Sequence, residues 1–189
     1  VTTGGSTGKP LGFYYERGVC RAIEWAFIKT LWDRVGYHFT DKCVVLRGNV
    51  VKSAEKGKYW EYSLFGRWLI LSSFHMTNKN LPKYIEIIRK FKPRFIQAYP
   101  SAITILARYM KENSIPPFSS VKAILCGSES LYPWQRKLLE EVFQCRVFSW
   151  YGHSEMCVLA GECEKSTYYH IFPEYGIVEL IGKDGRLIN

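Results

Sequence analysis

No run of 18 apolar residues occurs in the chain, which excludes a membrane-spanning helix of ordinary length. No Cys-x-x-Cys pair occurs, and six cysteines in 189 residues (Cys20, Cys43, Cys126, Cys145, Cys157 and Cys163) are too sparse for a disulfide scaffold. Cys43 and Cys126 sit in apolar runs and read as inert core thiols. This usage fits a reducing compartment, so a cytoplasmic location is expected. A long basic tract is also missing. The densest stretch is Arg89, Lys90, Lys92 and Arg94, which reads equally as a solvated helix end. There is no Gly-x-Gly-x-x-Gly fingerprint, no internal repeat and no low-complexity tract. An initiator Met and a signal peptide are absent too. The sequence opens at Val1 inside a Gly/Thr-rich run and reads as a fragment of a larger protein.

What is present is ordinary for a globular chain: 47% apolar and 23% charged residues. The length suits a single domain, or a large piece of one. Lys plus Arg is 26 against 17 Asp plus Glu, a net charge of +9. Such a surface attracts anions (nucleotides, coenzyme A, nucleic acid or acidic lipid) without choosing among them.

The first part of the chain is mixed. Leu11 to Tyr15 reads as a short strand. Val19, Ile23, Ala26, Phe27 and Leu31 fall at helical spacing, and Gly36 stops that helix. Cys43 to Leu46 and Trp68 to Leu71 are short apolar runs that suit buried strands. After Asn80 the pattern becomes regular. Asn80 is placed to cap a helix to about Phe91, with Ile85, Ile88 and Phe91 on one face and Pro93 beyond its end. Arg94 to Ala98 reads as a strand. Ser101 is placed to cap a helix carrying Ile103, Leu106, Ala107 and Met110 on one face. Strand, helix and strand follow at Val121 to Cys126, Pro133 to Phe143 and Arg146 to Trp150. Alternation of this kind predicts an α/β fold: a mainly parallel sheet flanked by helices. Ligands on such sheets bind at the carboxyl ends of the strands. Three polar motifs fall there: Tyr99-Pro100-Ser101, Gly127-Ser128-Glu129 and Tyr151-Gly152-His153-Ser154-Glu155.

The opening run, Thr2-Thr3-Gly4-Gly5-Ser6-Thr7-Gly8-Lys9-Pro10, has the chemistry of a phosphate cradle. Glycines let backbone N–H groups approach an anion, hydroxyls add donors, and Lys9 adds charge. It is not a Walker A loop: Thr3 holds the place of its first Gly, and Pro10 follows the lysine. A plain Gly/Thr turn remains the alternative. The run at Tyr151 offers an aromatic face for a base, a hydroxyl for phosphate and a carboxylate for Mg²⁺. Gly152-His153-Ser154-Glu155 also matches the first four places of a hydrolase nucleophile elbow. Met156 replaces the last Gly, however, and the later acid and histidine come in the wrong order, His170 before Asp184.

Taken in order, TTGGSTGKP, CGSESL and YGHSEM resemble the adenylate-forming superfamily of acyl-CoA synthetases. The likeness is closer to the phenylacetate-CoA ligase family, and within it to the CapK-like capsular-polysaccharide branch. Leu71-Ser72-Ser73-Phe74-His75-Met76 and the stretch from Phe95 through Ile96, Gln97, Ala98, Tyr99, Pro100, Ser101 and Ala102 to Ile103 carry that finer likeness. The resemblance covers nearly the whole chain. It implies the core of the large N-terminal domain of these enzymes, so that residues 1–189 form one incomplete domain without the mobile C-terminal domain.

By that resemblance Thr3, Gly5, Ser6, Thr7, Gly8 and Lys9 wrap the β- and γ-phosphates of ATP. Gly127, Ser128 and Glu129 line the adenine. Tyr151 stacks on it beside Gly152, Ser154 touches the phosphate, and Glu155 holds Mg²⁺ as the catalytic carboxylate. Tyr99, Pro100 and Ser101 border the acid. The implied chemistry is attack of a carboxylate on the α-phosphorus of ATP, then capture of the acyl-adenylate by coenzyme A or by an amine or hydroxyl acceptor. There are departures: Gly4 stands where a hydroxyl is usual, and Ser154 where Thr is commoner. Family members are generally more than twice as long, and their ribose-binding Asp and catalytic Lys would follow Asn189.

In some phenylacetate-CoA ligase relatives a Cys and a His placed like Cys163 and His170 join a later Cys-x-Cys pair to bind zinc. The alternative is a surface Cys and a loop His, with Cys157 a weaker candidate. His38, His75 and His153 read as structural. The expected partners are a small carboxylic acid and a nucleotide. The competing reading is a non-catalytic nucleotide- or nucleic-acid-binding module, resting on +9 and 16% aromatics. The aromatics fall within apolar runs, which favours core packing over base stacking. The oligomeric state and the identity of the acid are not written in these residues.

Overall fold

A computed structural model describes residues 1–2, 8–63 and 66–188. The chain forms two compact units, Val35–Ser149 and the pair of segments Val1–Arg34 and Trp150–Asn189.

In Val35–Ser149, strands β1 (Cys43–Leu46), β2 (Trp60–Tyr62), β3 (Trp68–Leu71), β4 (Phe95–Ala98) and β5 (Ala123–Cys126) alternate with helices. The helices are α2 (Leu81–Phe91), α3 (Pro100–Glu112) and α4 (Pro133–Phe143), while α1 (Cys20–Arg34) belongs to the other unit. Strand β6 (Arg146–Gly152) begins here and ends in the other unit. The hydrogen-bonded order is β2-β3-β1-β4-β5-β6. The pairs β3–β1, β1–β4, β4–β5 and β5–β6 are parallel, and β2 joins the edge antiparallel. The α/β architecture with a mainly parallel sheet is therefore as the sequence predicted. Every residue of β1, β4 and β5 is buried. Helices cover both faces of such a sheet, which is why these strands read as unbroken apolar runs rather than as alternating ones.

The helices bury the faces expected of them. Ile85, Ile88 and Phe91 of α2 are buried, as are Ile103, Leu106, Ala107 and Met110 of α3. Full burial of such a side chain is worth about 1.5–3 kcal/mol. The Tyr84 hydroxyl, carried into the core by α2, donates to the Ser72 carbonyl at 2.8 Å. Two expected caps are corrected. Asn80 stands before α2, but its side-chain amide donates to the His75 carbonyl (3.0 Å) and caps nothing. Ser101 lies inside the first turn of α3, because Pro100 already occupies the first helical position, where its missing N–H costs nothing.

The other unit is less regular. Helix α1 (Cys20–Arg34) buries Ile28, Leu31 and Trp32; of the expected inner stripe Leu31 is buried and Phe27 half-buried, whereas Val19, Ile23 and Ala26 are exposed. Apolar side chains lie all round this helix, so spacing alone could not select the buried face. Phe27 packs edge-on against Phe172 (5.2 Å) and Tyr175 (5.1 Å). The strand expected at Leu11 to Tyr15 is replaced by a single antiparallel bridge, Thr2 to Gly12, with Val1 and Phe13 exchanging backbone hydrogen bonds beside it. A pairing this short does not make a strand. Strand β6 runs two residues past its expected end, so Tyr151 and Gly152 belong to the strand. They pair antiparallel with β7 (Leu159–Gly161), which pairs with β8 (His170–Ile171). Gly176 is fixed by space: a Cβ there would lie 1.8 Å from the Cys157 carbonyl oxygen.

Candidate functional site

In Val35–Ser149 the carboxyl ends of three neighbouring parallel strands carry the polar residues. Arg47 and Gly48 follow β1, Tyr99-Pro100-Ser101 follows β4, and Gly127-Ser128-Glu129 follows β5. Parallel pairing aligns these ends in one row, because Leu46, Ala98 and Cys126 are register partners. The loops are tied to one another. Glu129 Oε2 accepts the backbone N–H of Ser101 (2.9 Å), and Oε1 accepts its hydroxyl (2.9 Å). Arg47 Nη2 donates to Ser128 Oγ (2.7 Å), and its guanidinium lies over the Tyr99 ring at 5.5 Å. Gly48 has φ +59, and a Cβ there would sit 3.2 Å from Tyr99 Cε2, so a side chain would press on that ring. Four expected site residues (Tyr99, Ser101, Ser128 and Glu129) are thus brought together. Arg47 joins them without having been singled out from the sequence. Its only signal there was a lone cation closing the apolar run Cys43 to Leu46.

In the other unit, the end of β6 carries Tyr151, half exposed, followed by Gly152 and a turn. That turn is closed by the Met156 N–H donating to the His153 carbonyl (3.1 Å), with Met156 at φ +56. It sets His153 Nδ1 2.8 Å from Glu155 Oε2. The Glu155 carboxyl is held below its ordinary value, first by its own backbone N–H and then by the His153 ring. A carboxylate that stays ionised is the donor a hard divalent cation requires, so Glu155 fits the expected Mg²⁺. Tyr15 donates its hydroxyl to the Ser154 carbonyl and ties the first segment of this unit to the turn. Burial, followed by the charge of Glu24, pushes the Tyr15 phenol up, so it remains a donor. Neither His153 nor Tyr15 was read as part of the site. His153 occupies the motif's variable place, and Tyr15 lies 139 residues away from its partner.

Gly8 and Lys9 are exposed. Thr3, Gly5, Ser6 and Thr7 lie outside the described residues. Cys163 is buried and its sulfur accepts the Lys165 N–H (3.4 Å), while His170 is exposed and is the register partner of Gly161. Among the described residues no three His, Cys, Asp or Glu side chains gather as metal ligands. Structural zinc takes four ligands, and the expected set draws its other two from the later Cys-x-Cys pair. No helix among the described residues is long and apolar enough to cross a membrane.

The sequence pattern described as "AMP-binding enzyme" matches residues 1–180. The chain is 32% identical over 156 residues to protein CapK of Staphylococcus aureus, covering 81% of this chain and 34% of CapK. Its fold is similar to that of a long-chain-fatty-acid-CoA ligase, FadD1, from Archaeoglobus fulgidus (TM-score 0.64, 20% identity, 99% of this chain and 38% of that one). It is similar also to that of 2-hydroxyisobutyryl-CoA ligase in complex with 2-HIB-AMP and CoA in the thioesterification state (TM-score 0.61, 20% identity, 88% and 35%). At these identities the two structures speak for the fold. The chain spans about a third of the length of each of these relatives.

Proposed function

The chain belongs to the AMP-binding enzyme family, and from that premise we propose that the whole protein activates a carboxylic acid with ATP to an acyl-adenylate. The adenylate then passes to the thiol of coenzyme A or to an amine or hydroxyl acceptor. The observation that carries the proposal is the row of polar loops at the carboxyl ends of β1, β4 and β5 in a member of this family. That is where parallel sheets bind their ligands.

Each residue's share follows from its chemistry. The reaction builds charge on phosphate oxygens, so the protein's task is to position the reactants and neutralise that charge. Lys9 supplies a cation, and Gly8 permits close approach of backbone amides. Gly127 and Ser128 line the adenine, and the exposed ring of Tyr151, at the end of β6, stacks on it. Ser154 offers a hydroxyl to phosphate. Glu155, held ionised, is the residue that would bind Mg²⁺; the metal supplies charge neutralisation when bound. Tyr99, Pro100 and Ser101 border the acid. Thr3, Gly5, Ser6 and Thr7 complete the phosphate cradle in this proposal. The resemblance to the capsular-polysaccharide branch, read from residues 71–76 and 95–103, favours an acid or acceptor of surface-polysaccharide assembly, and the two solved CoA ligases favour coenzyme A as thiol. No step is assigned to zinc.

The test is acid-dependent exchange of labelled pyrophosphate into ATP by the full-length protein, across a panel of aryl, fatty, hydroxy and amino acids. Exchange with at least one acid supports the proposal. Salt-sensitive nucleic-acid binding without exchange would replace it with the binding-module reading.

A further inference from the structure

We propose that Glu129 and Arg47 are positioning residues. They act as two straps that hold the Gly127-Ser128-Glu129 loop rigid against the loops after β4 and β1. Glu129 then serves the site through Ser101 rather than by touching the nucleotide.

Three observations carry this. First, both carboxylate oxygens of Glu129 are engaged by one residue, Ser101, through its N–H and its hydroxyl, each at 2.9 Å. Second, helix α3 lacks a capping side chain of its own: the residue before it is Tyr99, which makes no side-chain cap. The first turn of a helix leaves N–H groups unpaired and carries positive partial charge, so a carboxylate arriving from 28 residues downstream fills a place the local sequence leaves open. Third, Ser128 stands at φ +66, a left-handed conformation that a serine does not hold without support. The support is Arg47, whose guanidinium bonds Ser128 Oγ at 2.7 Å while lying over Tyr99. The loop is thus held from both sides, by Arg47 through residue 128 and by the α3 N-terminus through residue 129. Its conformation is fixed before any ligand arrives, so a ligand need not contribute the ordering entropy.

The kinetic arm of the test rests on the adenylation reading; the hydrogen-exchange arm does not. In the full-length protein, Glu129→Ala is expected to raise KM for ATP about tenfold, the scale of a lost charged hydrogen bond. Ser101→Ala, which keeps the backbone bond, is expected to raise it about threefold. The double variant should match Glu129→Ala within about twofold, because both changes cut one strap. Effects that multiply would overturn the proposal and make Glu129 a direct nucleotide ligand. In the absence of nucleotide, amides 127–131 should exchange with solvent about tenfold faster in Glu129→Ala and in Arg47→Ala than in wild type; unchanged exchange would overturn it equally. If Glu129→Ala does not accumulate folded, Glu129→Gln and Arg47→Lys carry the same two readouts. If the wild type shows no acid-dependent pyrophosphate exchange, the proposed function fails and amide exchange alone decides the straps.

Discussion

The two units contrast in how they are built. In Val35–Ser149 the sheet is parallel at four pairings, three strands are wholly buried, and helices alternate with strands. In the unit of Val1–Arg34 and Trp150–Asn189, the pairings are antiparallel and short, and apolar side chains such as Ile177 (92% exposed) face outward. The first holds its polar residues on loops that cross-tie, Glu129 to Ser101 and Arg47 to Ser128. The second holds Glu155 on one tight turn, pinned by Tyr15 and His153. A regular scaffold lets distant loops share their ties. Where the scaffold is short, one tight turn carries the site and a hydroxyl from 139 residues away pins it.

That contrast can be broken by mutation. The largest effect is expected from Ile103→Ala, which empties a fully buried place on α3. Unfolding in urea should show a loss of about 2–5 kcal/mol. Next comes Glu155→Gln in the full-length protein, expected to cost about 10²-fold or more in pyrophosphate exchange. Unchanged exchange would remove Glu155 from its role. Gly176→Ala pushes a methyl onto the Cys157 carbonyl and should cost about 1–3 kcal/mol, read by thermal melting. No cost would mean that this backbone contact yields freely.

A smaller effect is expected of pH. Burial pushes the Cys43 and Cys145 thiols up to about 12. The folded state therefore keeps protons that the unfolded chain releases above about pH 8.5. The associated stability is complete below that pH and is lost as pH rises towards 12. Melting curves from pH 8 to 11 should fall more steeply for the wild type than for Cys43→Ala. The smallest effect is expected at Ile177→Ser, within about 0.5 kcal/mol of wild type. A large loss there would show that the unit has packing its exposure does not reveal.

The same contrast decides what could be read from the sequence. Ile103, Leu106, Ala107 and Met110 announced α3 because one face is buried and the opposite face is not. Cys43 to Leu46 announced β1 because both faces of that strand are covered. On α1 the apolar residues lie all round, so spacing groups the buried Leu31 with the exposed Val19, Ile23 and Ala26. Strands β7 and β8, three and two residues long, carry no period to detect. The motifs at 127–129 and 151–155 were legible as chemistry. Their ties to Arg47 and Tyr15 were not, because such pairings exist only once the chain has folded. Asn80 and Ser101 were good caps by residue type, but the Asn80 amide bonds the His75 carbonyl instead, and α3 begins at Pro100, one residue before Ser101.

The central claim is attack of a carboxylate on the α-phosphorus. It is tested most directly by giving the full-length protein an acid labelled with ¹⁸O in its carboxylate, together with ATP and an acceptor. The expected result is one labelled oxygen in the AMP released, with pyrophosphate as the other product. Label in inorganic phosphate alongside ADP, or unlabelled AMP, would contradict it.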